Sequence, residues 1–211
     1  MGKIETATQW MIDLANDDSH GYDQDSRWGP DYDCSSSVIS AWQYAGVPVK
    51  TKGASSTYDM KNVFLSCGFT NVISSVNVST GAGLKRGDVL HRSGHTAMYI
   101  GNNKQVAAHL NEKGTTKGGK TGDQTGKEIS VSAYSNSSSN PWTAVLRYTA
   151  EAETTPTQPT TKAGEWIQGS NGKWWYRHTD GTCFPGALLQ FQRIRLLLAY
   201  LLVLVLAEQI C

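Results

Sequence analysis

The hydrophobic period of this chain changes once, near Leu84, and that change limits the folds open to it. Upstream, Ile4, Thr8, Met11, Ile12 and Ala15 recur at helical spacing and predict a helix over 4–16. Val38, Ile39, Trp42 and Ala45 share one face of a second helix, with Gly46 as its C-terminal stop. A third is expected over 56–67. Downstream the alternation is that of strands. Val89 and Leu90 follow a Gly-Asp turn, and HTAMYIG sets Thr96, Met98 and Ile100 against Ala97, Tyr99 and Gly101. Asn102-Asn103 reads as a turn, and KQVAAHLN, EISVSAY and TAVLRY complete the set. Helices first and a strand meander after them predict an α+β domain, with helices packed on a small antiparallel sheet.

The helix-then-strand pattern stops at about residue 148. Residues 149–162, TAEAETTPTQPTTK, carry no large apolar side chain, and their Pro and Thr make a stiff, extended linker. The expected organisation is therefore a domain over 1–148, a linker over 149–163, a short repeat over 164–184 and an apolar tail over 185–211. The tail has 12 uncharged, nearly all aliphatic residues between Arg195 and Glu208. That is short of the roughly 20 a membrane span needs, so no membrane partner is expected. The tail reads like an out-of-register or truncated gene end. A formal net charge of +1 gives nothing to steer the chain toward nucleic acid.

Cys34, Cys67, Cys183 and Cys211 form no close C-x-x-C pair, which disfavours a zinc ribbon or a disulfide framework. Cys34 follows the loop-like stretch DDSHGYDQDSRWGPDYD and precedes SSSVISAWQYAG, so it heads the second helix. A helix N-terminus supplies positive potential and free N–H groups, which favour a thiolate and stabilise an oxyanion. A lone cysteine is more often a small core residue. His95 opens a predicted strand, and a turn at Asn102-Asn103 brings His109 beside it on the next strand. In a cysteine hydrolase a third group orients the imidazole; His109 fits that place, with Asn111 two residues on as the fallback. His91, His95, His109 and Asp88 are metal-ligand types, but His91 and His95 lie four apart, a helical spacing on what reads as a strand. No metal is expected.

The segments DYDCSSSVISAWQYAGV and RGDVLHRSGHTAMYIGNNKQVAAHLN together resemble the NlpC/P60 superfamily of papain-like peptidoglycan hydrolases. The likeness is to its phage amidase branch, typified by pneumococcal phage lysins of the Pal type, and runs over roughly residues 4–148. It implies a Cys-His mechanism without metal or organic cofactor, with bacterial peptidoglycan as partner. Cys34 is then the nucleophile, His95 the base and His109 the orienting residue. Tyr22 contacts the peptide stem, and Asp33, Ser36 and Asn111 help bind it. The implied activity is N-acetylmuramoyl-L-alanine amidase, with γ-D-glutamyl stem-peptide endopeptidase as the alternative. A non-catalytic wall-binding protein with a decayed hydrolase domain is the alternative of another class; intact Cys34, His95 and His109 argue against it. The N-terminal MGKIETATQWMIDLAND has no apolar signal region, which fits a protein made in the host cytoplasm and released at lysis.

WIQGSNGKWWYRHTDGT resembles a choline-binding repeat. Aromatic faces attract quaternary ammonium, and choline on teichoic acid is such a ligand. Trp166, Trp174 and Tyr176 are the aromatic candidates. Choline sites usually form between successive repeats, and this sequence has one; a small aromatic hairpin without ligand is the competing reading.

Overall fold

A computed structural model describes residues 2–150 and, beyond them, three strands at Glu165–Gln168, Trp174–Arg177 and Cys183–Pro185. The chain divides into two units, 1–154 and 155–211. The expected linker beyond residue 150 and the apolar tail beyond residue 185 lie outside the described residues.

In the first unit, helices α1 (Lys3–Leu14), α2 (Cys34–Tyr44) and α3 (Met60–Ser66) precede strands β2 (Val89–Arg92), β3 (His95–Gly101), β4 (Lys104–Ala108), β5 (Ile129–Ala133) and β6 (Ala144–Tyr148). A short strand β1 (Phe69–Asn71) joins them. All pair antiparallel, in the order β1-β6-β2-β3-β4-β5. The expected α+β class is therefore the observed one, but the meander is incomplete. β2 to β5 run as neighbours, whereas β6 crosses back to pair with β2 and carries β1 on its outer edge. Three residues of β1 are too few to show a period, so it left no signal.

Alternation along the strands gives the sheet two apolar faces. Val89, Met98, Val106 and Leu146 pack under the helices with Met11, Val38, Ile39, Trp42 and Phe64. Leu90, Ala97, Tyr99, Ala107 and Val145 form the other face with Trp142, covered by Val72, Ile73, Val76, Val78 and Leu84. The strand that carries His95 is therefore covered on both faces.

Local chemistry fixes the element ends. α2 stops where Gly46 adopts φ +80°. The amides of Gly46 and Val47 donate to Gln43 O and Trp42 O, which closes a Schellman cap. Asn102 and Asn103, at φ 51° and 55°, make the tight turn between β3 and β4. α3 starts four residues later than its apolar pattern suggests. The Asp59 carboxylate accepts from the amides of Ser55 and Ser56 at 2.7 and 3.0 Å, so residues 55–59 form a closed turn instead of a helical one.

The described residues of the second unit form a three-stranded antiparallel sheet, β7 (Glu165–Gln168), β8 (Trp174–Arg177) and β9 (Cys183–Pro185). It has one strand more than the expected hairpin. Trp166 pairs with Tyr176 and Gln168 with Trp174 in the β7–β8 register. The side chains of Trp166, Trp174 and Tyr176 lie outside the described residues.

Candidate active site

Cys34 is the first residue of α2 and is 7% exposed. Asp33 caps the helix, its Oδ1 accepting from the amides of Ser35 at 2.9 Å and Ser36 at 2.7 Å. Ser36 Oγ accepts from the Asp33 amide at 2.9 Å, closing a capping box. This box is what turns the chain sharply enough to set a thiol at the head of a helix. Two effects compete at that thiol. The amides of Thr96, Ser35 and Cys34 itself favour the thiolate. Burial and the neighbouring Asp33 carboxylate oppose it and prevail, pushing Cys34 up to about 11.

His95 is the first residue of β3 and pairs with Arg92 across the β2–β3 hairpin. Continuing the Met98–Val106 register places His109, just past β4, across from it. The two imidazoles lie 6.0 Å apart between centroids, inclined by 32°. The Trp142 indole stacks on His95 at 5.8 Å and 21°. Burial, then the positive charge that His109 and Arg92 place nearby, hold His95 down at about 4. His109 keeps an exposed edge, yet the protein around it still lowers its basicity by desolvation.

Thr96 links the two halves of the site. Its amide is among the groups that favour the Cys34 thiolate, and the residue before it is His95. With the thiol near 11 and the imidazole near 4, the proton rests on sulfur in the unliganded protein. Among the described residues no hydrogen bond joins the Cys34 and His95 side chains, and His95 meets His109 ring to ring.

The other expected residues divide. Tyr22 is buried beside the thiol; its phenol is pushed up to about 12 by burial first and by the nearness of Cys34 second. Its hydroxyl accepts from Gln24 Nε2 at 3.1 Å. Asp33 and Ser36 are buried with their polar atoms engaged in the cap and in an ion pair to Arg27. Both brace the start of α2, where Cys34 sits. Asn111 does not continue the β4 strand face. It is buried, and its side chain accepts from the amides of Lys113 and Thr115 and donates to Lys117 O, ordering the loop after His109.

The metal-ligand types do not converge. Asp88 is fully buried in a two-bond ion pair with Arg147, at 2.8 and 2.6 Å. His91 Nε2 is bonded to Thr57 O at 2.8 Å. Among the described residues no three His, Cys, Asp or Glu side chains group to hold a metal ion.

Four residues joined to the site carried no signal in the sequence. Arg27 ties the cap to the 55–59 turn by donating to both Asp33 and Ser55 O. Thr57 ties that turn to the histidine hairpin, since its Oγ1 accepts from the Gly94 amide at 3.2 Å. Trp142 follows a Ser-Asn run with no period, and Arg92 lies over its ring at 4.8 Å. A residue that acts by closing a loop against another loop has no characteristic spacing.

Residues 29–106 and 105–158 match the family model described as endolysin-like domain. No curated protein matches the chain. Among solved structures, the chain is similar to a histidine-mutated form of the resuscitation promoting factor interacting protein RipA, at 14% identity and TM-score 0.37. It is also similar to Rv1477, described as a hypothetical invasion protein of Mycobacterium tuberculosis, at 15% identity and TM-score 0.37. Each alignment covers 69% of this chain and 63% of the other, so the chain spans less than two thirds of those structures.

Proposed function

The chain belongs to the endolysin-like domain family, and on that premise we propose that it is a peptidoglycan hydrolase that cleaves an amide bond with Cys34 as nucleophile and His95 as base. One observation carries the chemistry: a thiol at the capped head of α2 stands in a domain whose β3 opens on His95, buried against Trp142 and set ring to ring with His109.

The reaction starts from a neutral pair. His95 takes the Cys34 proton as sulfur bonds to the carbonyl carbon. The amide of Cys34, at the start of α2, faces the developing oxyanion, where the helix dipole adds to its effect. The imidazolium then gives its proton to the leaving nitrogen, and the C–N bond breaks to leave a thioester. Water loses a proton to His95, adds to the thioester, and the thiol re-forms. Placing His95 at about 4 favours this order, because a neutral imidazole is the form that accepts a proton.

The bond is that of an N-acetylmuramoyl-L-alanine amidase. Support for this narrower reading is the local likeness around Cys34, His95 and His109. Mass spectrometry of digested wall tests it. Free lactyl ends with a new L-Ala amine are expected; cut stem peptides instead would assign a γ-D-glutamyl endopeptidase. For the C-terminal sheet, binding of choline by Trp166, Trp174 and Tyr176 is the proposal, tested by choline titration of the full chain against a Trp166→Ala, Tyr176→Ala variant. Equal response of both would end it.

A further inference from the structure

The Trp142 ring is fixed from two sides. Its indole Nε1 donates to Ser135 O at 3.0 Å and its backbone amide donates to Asn136 Oδ1 at 2.8 Å. The ring is 4% exposed and packs with Leu90, Ala97 and Val145 on the sheet face that the helices do not cover. Two groups of the β2–β3 hairpin rest on it. His95 lies nearly parallel to it at 5.8 Å, and the Arg92 guanidinium lies over it at 4.8 Å. Arg92 and His95 are register partners, so one indole braces both members of one cross-strand pair. Arg92 is itself held, donating to Asn140 O two residues before Trp142. Its Nε is buried without a hydrogen-bond partner, so the guanidinium is retained there at some cost.

We propose that Trp142, with Arg92 stacked on it, is a positioning residue that fixes the ring plane of His95 for proton transfer with Cys34. The proposal rests on His95 being the base. The imidazole has no hydrogen-bonded orienting partner among the described residues, and its contact with His109 is ring to ring. Trp142 supplies the restraint that such a partner usually gives. The Arg92 charge adds to it by disfavouring the protonated ring between turnovers.

The test uses the full chain with 13C-labelled histidine, followed by NMR over pH, beside steady-state lysis of purified wall. In Trp142→Ala the His95 midpoint is expected to rise by about one unit as water reaches the ring. kcat is expected to fall by about 10- to 100-fold with KM within about twofold. Trp142→Phe keeps a stacked ring and should recover most of the kcat. Arg92→Gln should raise the midpoint without unfolding, and with Trp142→Phe it carries the test if Trp142→Ala does not fold. Unchanged His95 titration in folded Trp142→Ala or in Arg92→Gln overturns the proposal. Full lysis by His95→Gln would remove the base assignment instead, while the NMR midpoints would still report whether Trp142 holds the ring.

Discussion

His95 and His109 face each other across adjacent strands with their rings 6.0 Å apart, and this contact makes the two imidazoles electrostatic competitors. A proton on one opposes a proton on the other, which is part of why His95 is held near 4. Replacing His109 with neutral Gln removes the repulsion and the ring contact together. The His95 midpoint should rise, because the protonated form is no longer disfavoured by its neighbour. The acid limb of the pH–rate profile should move to higher pH, with kcat about tenfold lower from the lost restraint. An acid limb that stays in place would separate His109 from the proton chemistry.

Cys34 reactivity should follow the charge of Asp33. The carboxylate next to the thiol raises its pKa, while the same carboxylate builds the cap that positions it. Asp33→Asn keeps an acceptor for the cap and removes the charge, so alkylation of Cys34 by iodoacetamide should begin at lower pH. Asp33→Ala loses the cap as well and should cost about 1–2 kcal/mol of stability, read from a denaturant melt. Cys34→Ala should stay folded, with wall lysis abolished in a zymogram; retained lysis would refute the nucleophile.

The parts of the site that lie on periodic elements were readable in the sequence, and the parts held by loop-to-loop contacts were not. Cys34 at a helix head and His95 at a strand head follow from where each period begins, and the Asn102-Asn103 turn sets His109 across from His95. Ser36 shows the limit. Its place beside Cys34 suggests a substrate contact, and its place three residues after an Asp at a helix start also closes the capping box. Asn111 lies off the strand, because two residues past His109 means the same face only while the strand continues, and β4 ends at Ala108. The return of β6 to β2 is a long-range choice that no local pattern records.

The Arg-Gly-Asp element before β2 reads as part of the family pattern and is built as a structural joint. Arg86 makes two hydrogen bonds to Glu5, both at 2.8 Å, and Asp88 makes two to Arg147. A Cβ on Gly87, at φ +88°, would meet Ile4 Cγ2 at 2.6 Å. Asp88→Ala leaves the largely buried Arg147 without its carboxylate, a loss of about 3 kcal/mol. The melting temperature should fall while kcat of the remaining folded enzyme, titrated by Cys34 alkylation, stays near the parent value. A matching loss of kcat per folded site would place Asp88 in the catalytic machinery.

Acid should destabilise the domain through its histidines before its carboxylates. His91, His95 and His109 all hold protons less well in the folded protein than in the unfolded chain, and in each case burial is the first cause. Their stabilisation is complete above the unfolded value of about 6.5. As pH falls below that, the unfolded chain takes up protons that the folded protein refuses, and stability drops until the folded values are passed. For His95 the window runs from about 6.5 to about 4, worth of the order of 3 kcal/mol at its lower end. Urea midpoints measured from pH 7 to pH 4 should therefore decline steadily. In His95→Gln the slope over that window should be visibly shallower, since one of the three groups no longer titrates. An unaltered slope in that variant would mean that His95 is not held neutral by burial.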